Sequence, residues 1–161
     1  RAVWHFASHV DLVAGINVFH LDNALRVWPS HLSPGRDECP MLKGRPLVFL
    51  NMCHHKLPRP IRDETLAENL IGIGAGGVIA THCLIDDGFA TKFAGWFYHG
   101  GAEGLSVGDS LLRARTSAWD AHSLGGLFYS FYTLNDFRIR LALPGGAEMR
   151  PDQRPQTQVA S

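Results

Sequence analysis

The sequence predicts an α/β protein with a mostly parallel central sheet between helical layers, a three-layer α-β-α plan. Residues 2–8 (AVWHFAS), 46–52 (PLVFLNM) and 76–85 (GGVIATHCLI) are short, nearly continuous apolar runs. That is the pattern of strands buried on both faces of a parallel sheet. Other segments repeat their apolar residues every three or four positions, as helices with one buried stripe do. The resulting order, β, β, α, β, α, α, β, alternates the two kinds of element as α/β folds do.

Taken in order, 2–8 is the first strand. INVFHL, Asp22-Asn23 and ALRVW then read as a small hairpin, and SHLSPGRDECPMLKGR as a turn-rich connection outside the main sheet. The second strand is 46–52. From Asp63 to Ile71, Leu66, Ala67, Leu70 and Ile71 make a buried stripe, with Asp63 and Glu64 favouring the helix N-terminus. Glycines stop that helix before the third strand, 76–85. Asp87 to Tyr98, with Phe89, Phe93, Trp96 and Phe97, predicts a second helix. Ser106 to about Ala118 predicts a third, burying Val107, Leu111 and Ala114 and turning Arg113 and Arg115 to solvent. GLFYSFYTL and FRIRLAL close the sheet. The tryptophans and the Phe89, Phe93, Phe97 stripe are assigned to the core.

With 161 residues, 45% of them hydrophobic, the chain can bury one core and not two. The domain is placed at 1–143. Residues 144–161, PGGAEMRPDQRPQTQVAS, lack the large apolar groups that offset ordering entropy, so a disordered tail is expected. The first residues already lie in a strand-like run, and the sheet is therefore expected to lack its N-terminal strands. Lys plus Arg and Asp plus Glu both number 15, so no net field recruits nucleic acid or an anionic membrane. No apolar stretch approaches the ~20 residues of a membrane span, and no signal-peptide pattern opens the chain. A soluble cytoplasmic protein is expected. Cys39, Cys53 and Cys83 are an odd set without CxxC spacing, which argues against a disulfide framework and a cysteine zinc site.

Chemistry concentrates where VWHFASH ends in His9 and RPLVFLNMC ends in Cys53. Each reactive side chain is expected just past the C-terminal end of a buried strand, the edge where open α/β sheets gather catalytic groups. A thiol of pKa about 8.5 is mostly protonated at neutral pH, whereas its thiolate attacks carbonyl carbon well. A nearby imidazole can take the proton and later donate it to a departing amine. The two residues are 44 positions apart, and caspases place their histidine roughly 50 residues before the cysteine. Spacing alone leaves open an ordinary buried cysteine and a hydrogen-bonded strand-end histidine.

Beyond spacing, HFASH, PLVFLNMC, LAENLIGIGAGGVIATHCLIDD, KFAGWFYHGGAEGLSVGDSLLRAR and YTLNDFRIRL follow one another in order. From residue 2 to about 143 the chain resembles the CHAT family of caspase-like, separase-related cysteine peptidases. The resemblance implies a caspase-like fold and a Cys-His dyad of His9 and Cys53. It implies an oxyanion site from the backbone N–H groups of Val10 and Cys53, and a protein or peptide substrate with no cofactor or metal. Asp87, with Asp86 beside it, matches a position that in separases lies in the pocket for a basic side chain, and such a carboxylate would pair well with Arg or Lys. Capping of the following helix is the competing role. Regulatory repeats of helical type on the same polypeptide are also implied. Val10 stands where the family has Gly, Met52 where a small residue is common, His54 where Glu often follows, and Asn135-Asp136 where Gly-Asp is usual. Because a β-branched residue resists φ > 0, an inactive member serving as a protein-interaction module is the alternative.

Two further motifs do not carry the chemistry that their letters suggest. GIGAGG matches GxGxxG at Gly72, Gly74 and Gly77, yet a helix precedes it and a strand follows, the reverse of what dinucleotide binding needs. His54, His55 and the His5/His9 pair suggest zinc, but HFASH lacks the glutamate of HExxH, and strand positions four apart lie ~13 Å apart. His20, His31, His82, His99 and His122 are read as surface or hydrogen-bonded histidines.

Overall fold

The computed structural model describes residues 2–13, 16–20, 26–35, 41–53, 64–81 and 85–139; at 8–12, 16, 17, 19, 52, 53, 64 and 65 the description is of the backbone. The helix start at Asp63, the hairpin turn at Asp22-Asn23, Cys39, Cys83, His54, His55, His82 and the tail 144–161 lie outside the described residues. The strands are β1 (Val3–Val13), β2 (Ile16–His20), β3 (Arg26–Val27), β4 (Leu47–Cys53), β5 (Gly77–Thr81) and β6 (Tyr129–Tyr132). The helices are α1 (Glu64–Gly72), α2 (Asp87–Ala102) and α3 (Val107–Asp120). The fold is α/β, with β1, β4 and β5 parallel, β6 antiparallel at one edge, and the strand order β3-β2-β1-β4-β5-β6.

β4 and β5 are buried on both faces, as their apolar runs predict, whereas β1, expected to be buried likewise, is not: Val3 and Phe6 are half-buried and Trp4, His5 and Ala7 are exposed. Leu47 and Phe49 of β4 pack with Ile79, Phe93, Phe97, Leu111 and Tyr129, the side of the sheet that α2 and α3 cover. Val48 and Leu50 face Leu66, Ala67, Leu70 and Ile73, the side that α1 covers. On the α2 side the packing is aromatic. Phe93 stacks on Tyr129 with centroids 3.9 Å apart, and Phe49 meets Phe97 and Tyr129 edge-on, a geometry that adds to area burial. The GxGxxG segment is a helix ending followed by a strand: Gly74 takes φ +107, and the N–H groups of Gly74 and Ala75 return to Ile71 and Leu70.

Several elements differ from their sequence-based outlines. β1 runs to Val13 instead of ending at Ser8, because Val10–Val13 pair with Ile16–Phe19 of β2 and extend the strand beyond β4. α2 continues past Tyr98 through Gly100 and Gly101. A Cβ at Gly100 would come 3.1 Å from the Ser110 Cα, so glycine there allows α2 and α3 to approach closely. GLFYSFYTL divides into a 3-10 turn, Gly125–Phe128, and β6. The described part of FRIRLAL forms a single bridge, Ser106 to Arg138, although Ile139 is buried. Arg115 does not simply face solvent: its guanidinium donates to the Tyr129 carbonyl, tying α3 to β6. Trp4 and Trp119 are 43% and 65% exposed, outside the core assigned to them. Trp119 shares the outer side of α3 with the exposed Leu112.

The N-terminus of α3 is secured twice. Ser106 accepts from the Asp109 N–H, and Asp136 accepts from the N–H groups of Gly108 (3.0 Å) and Phe137 (2.8 Å). Burial works to raise the Asp136 pKa, but hydrogen bonding to the Ser106 hydroxyl and these N–H groups outweighs it and holds the carboxyl below the usual aspartate value. Its contribution is therefore present above the unfolded pKa and lost as pH falls through the lower folded one. Asp136→Ala is expected to cost about 1 kcal/mol at pH 7, a modest figure because the group is exposed. Urea midpoints for the two proteins should converge below about pH 4. Gly100→Ala is expected to destabilise by about 1–2 kcal/mol, overpacking outweighing the gain in helix propensity; a melting temperature at or above wild type would contradict the close-approach role.

Candidate functional site

Because β1, β4 and β5 are parallel, their C-terminal ends share one edge of the sheet, and α2 begins at that edge after β5. His9 and Cys53 are register partners across β1 and β4, the last pair of a series that starts at Val3 and Leu47. Neighbouring strands lie about 4.8 Å apart. Two residues 44 positions apart in sequence are thus brought side by side by parallel pairing. Cys53 is the last residue of β4. His9 lies inside β1, not past its end as expected from sequence, at the point where the strand changes partner from β4 to β2.

Alternation assigns a face to the pair. His5 stacks on Phe49, its own register partner, at 4.8 Å, and Asn51 bonds to α2. Positions 5, 7 and 9 of β1 and 49, 51 and 53 of β4 therefore belong to the α2 side of the sheet. The two faces are not equivalent at this edge: on this one the start of α2 is tied to β4 through the Asn51–Ala90 bond.

Asn51 is a residue that sequence reasoning misses. It is 5% exposed, and its amide is satisfied at both ends: Nδ2 donates to the Ala90 carbonyl in the first turns of α2 (3.1 Å), and Oδ1 accepts from the Tyr129 hydroxyl of β6 (2.7 Å). Burying an unsatisfied amide costs about 1–3 kcal/mol, so each bond matters. The one signal in the sequence is a single amide inside the otherwise apolar run PLVFLNM. Its partners are 39 and 78 positions away, and nothing local reveals them.

Val10 sits in the β1–β2 ladder opposite Phe19. Extended backbone suits a β-branched residue. Asp86 is the N-cap of α2, its carboxylate accepting from the Phe89 N–H at 3.0 Å, and Asp87 is the first helical residue. Both are exposed at the helix start. The capping role weighed for Asp87 therefore belongs to Asp86. Among the described residues no three His, Cys, Asp or Glu side chains form a group able to hold a metal ion. No helix among them is long and apolar enough to cross a membrane. A cavity of 480 Å³ lies elsewhere, lined by Trp119, Asp120, His122, Ser123 and Leu124 at the end of α3. His99 and Arg113 both pair with Glu103 at the surface. No protein-family model matches the chain, and a comparison with curated proteins finds no relative.

His5 reports on this face of the sheet. Covered on one side by Phe49 and Tyr98, its imidazole is held below the usual histidine pKa by desolvation, and burial pushes the Tyr98 hydroxyl up to about 12. A lowered histidine pKa leaves the folded state short of protons relative to the unfolded chain, so stability is full above about pH 6.5 and declines below it. His5→Phe should keep the ring stack and shrink the fall in urea midpoint between pH 7 and pH 5. An unchanged fall would show that His5 is not its source.

Proposed function

We propose that the chain is a caspase-like cysteine endopeptidase of the CHAT type, in which His9 and Cys53 form a dyad that cleaves a protein substrate. The observation that carries the reading is their register, His9 opposite Cys53 at the C-terminal edge of parallel strands. The ordered blocks of resemblance from residue 2 to about 143 support it independently. The α/β arrangement, with α1 on one face and α2 and α3 on the other, is compatible with a caspase-like three-layer fold.

In this reading His9 takes the Cys53 proton and the sulfur attacks the scissile carbonyl, forming a carbon–sulfur bond. The oxyanion is held by backbone N–H groups at Cys53 and Val10. As the carbon–nitrogen bond breaks, the histidine returns its proton to the departing amine. Water then hydrolyses the thioester, with His9 again as base, and the thiol is regenerated. The N-terminus of α2 at the same edge favours an anionic sulfur. Asp87, beside the helix cap, is the carboxylate proposed to select a basic residue before the cleaved bond. Free thiol chemistry suits the reducing cytoplasm, and control by helical repeats on the natural polypeptide follows from the family resemblance.

One observation favours a second reading, a binding module without turnover. β1 continues as a strand at Val10, the first residue of its ladder with β2, where glycine in the family allows the backbone to turn an N–H toward the oxyanion. An electrophilic peptide probe separates the two. Labelling is expected at Cys53, absent in Cys53→Ala and reduced about 100-fold in His9→Ala, in keeping with general-base catalysis. Labelling spread evenly over Cys39, Cys53 and Cys83 favours the binding module. In a peptide library, Asp87→Ala should erase a preference for Arg or Lys before the cut; a preference that survives removes Asp87 from the pocket.

A further inference from the structure

We infer that Asn51 and Tyr129 are positioning residues that set the reactivity of Cys53, an inference that rests on the dyad reading. Packing alone does not require an amide at position 51. Leu47 and Phe49 fill the same face of β4 with carbon, and Asn51 lies among the same buried neighbours. What the amide adds is direction. Through Nδ2 it holds the Ala90 carbonyl of α2, and through Oδ1 it receives the Tyr129 hydroxyl, so one side chain links β4, the start of α2 and β6. Tyr129 is itself held rigidly: it is fully buried, its ring stacks on Phe93, and its carbonyl accepts from Arg115. Cys53 follows Asn51 by two residues, about 7 Å along the strand and on the same side of the sheet. It is the last residue of β4, where the ladder to β1 ends. The clamp is thus the final polar tie between β4 and α2 among the described residues before the sheet edge. It fixes the height of the cysteine position relative to the helix N-terminus and to His9 across the register.

A residue that only fills space is replaceable by carbon, whereas a clamp is not. The test follows the rate of iodoacetamide alkylation of Cys53 against pH, with the modified site identified by peptide mapping, in wild type, His9→Ala, Tyr129→Phe and Asn51→Leu. Wild type should react with a midpoint well below the ~8.5 of a free thiol, and His9→Ala should abolish that depression. Tyr129→Phe keeps the ring stacked on Phe93 and loses only the hydroxyl. Its Cys53 rate at pH 7 should fall at least fivefold and its midpoint should move upward, with the near-ultraviolet circular dichroism retained. Asn51→Leu takes the Oδ1 acceptor from the buried Tyr129 hydroxyl and should melt below the wild-type temperature; below that melting temperature it should still show the slowed, upshifted profile, which keeps the proposal testable if Tyr129→Phe does not fold. A depressed, His9-dependent wild-type profile that persists unchanged in Tyr129→Phe or Asn51→Leu overturns the clamp and leaves the dyad standing. A wild-type midpoint near 8.5 that ignores His9→Ala overturns the dyad, and the positioning role with it.

Discussion

The parallel pairing of β1 on β4, from Val3 opposite Leu47 to His9 opposite Cys53, determines most of what surrounds it. Parallel strands cannot be joined by a tight turn, so the chain must cross over, and the crossover from β4 to β5 carries α1 on one side of the sheet. With that side covered, α2 and α3 take the other, and Phe49 becomes the centre of an aromatic cluster while Leu50 turns to α1. A slip of one residue in this register would exchange the two faces of β4. It would also part Asn51 from α2 and separate the cysteine position from the histidine position.

The same pairing explains which parts were legible in the sequence. Apolar runs such as LVFLNM announce strands buried on both faces, and the period of Leu66, Ala67 and Leu70 announces α1, because burial at those positions is decided locally by repeat and composition. The extension of β1 to Val13 depends on β2, a partner whose pairing is tertiary. Gly100 and Gly101 resemble a helix stop until α3 is seen to need the close approach. Arg115 carries a charge that periodicity assigns to solvent, and only the position of β6 reveals the carbonyl waiting for it.

Of the candidate site, Cys53 was readable as a strand-end residue, whereas His9, expected past a strand end, lies inside β1 because β2 prolongs that strand; their register is what a parallel sheet makes of the two positions. Asp86 and Asp87 were readable as a pair at a helix start, but which of them caps is a matter of backbone geometry, and the capping bond goes to Asp86. Asn51 was visible as a letter and invisible as a clamp, since the tyrosine that satisfies it lies on the far side of three helices in sequence. Buried polar bonds of this kind gain strength from the low dielectric around them and specify one arrangement of the elements they join.

In the proposed peptidase reading the two registered positions must act as one ionisable pair. Labelling Cys53 with ¹³C at Cβ and following its chemical shift against pH reads the thiolate directly, without a substrate or a probe. A coupled pair titrates as a unit, so the cysteine should ionise well below the ~8.5 of a free thiol, and His9→Ala should return it to that value. A single transition near 8.5, the same with and without His9, would contradict the dyad.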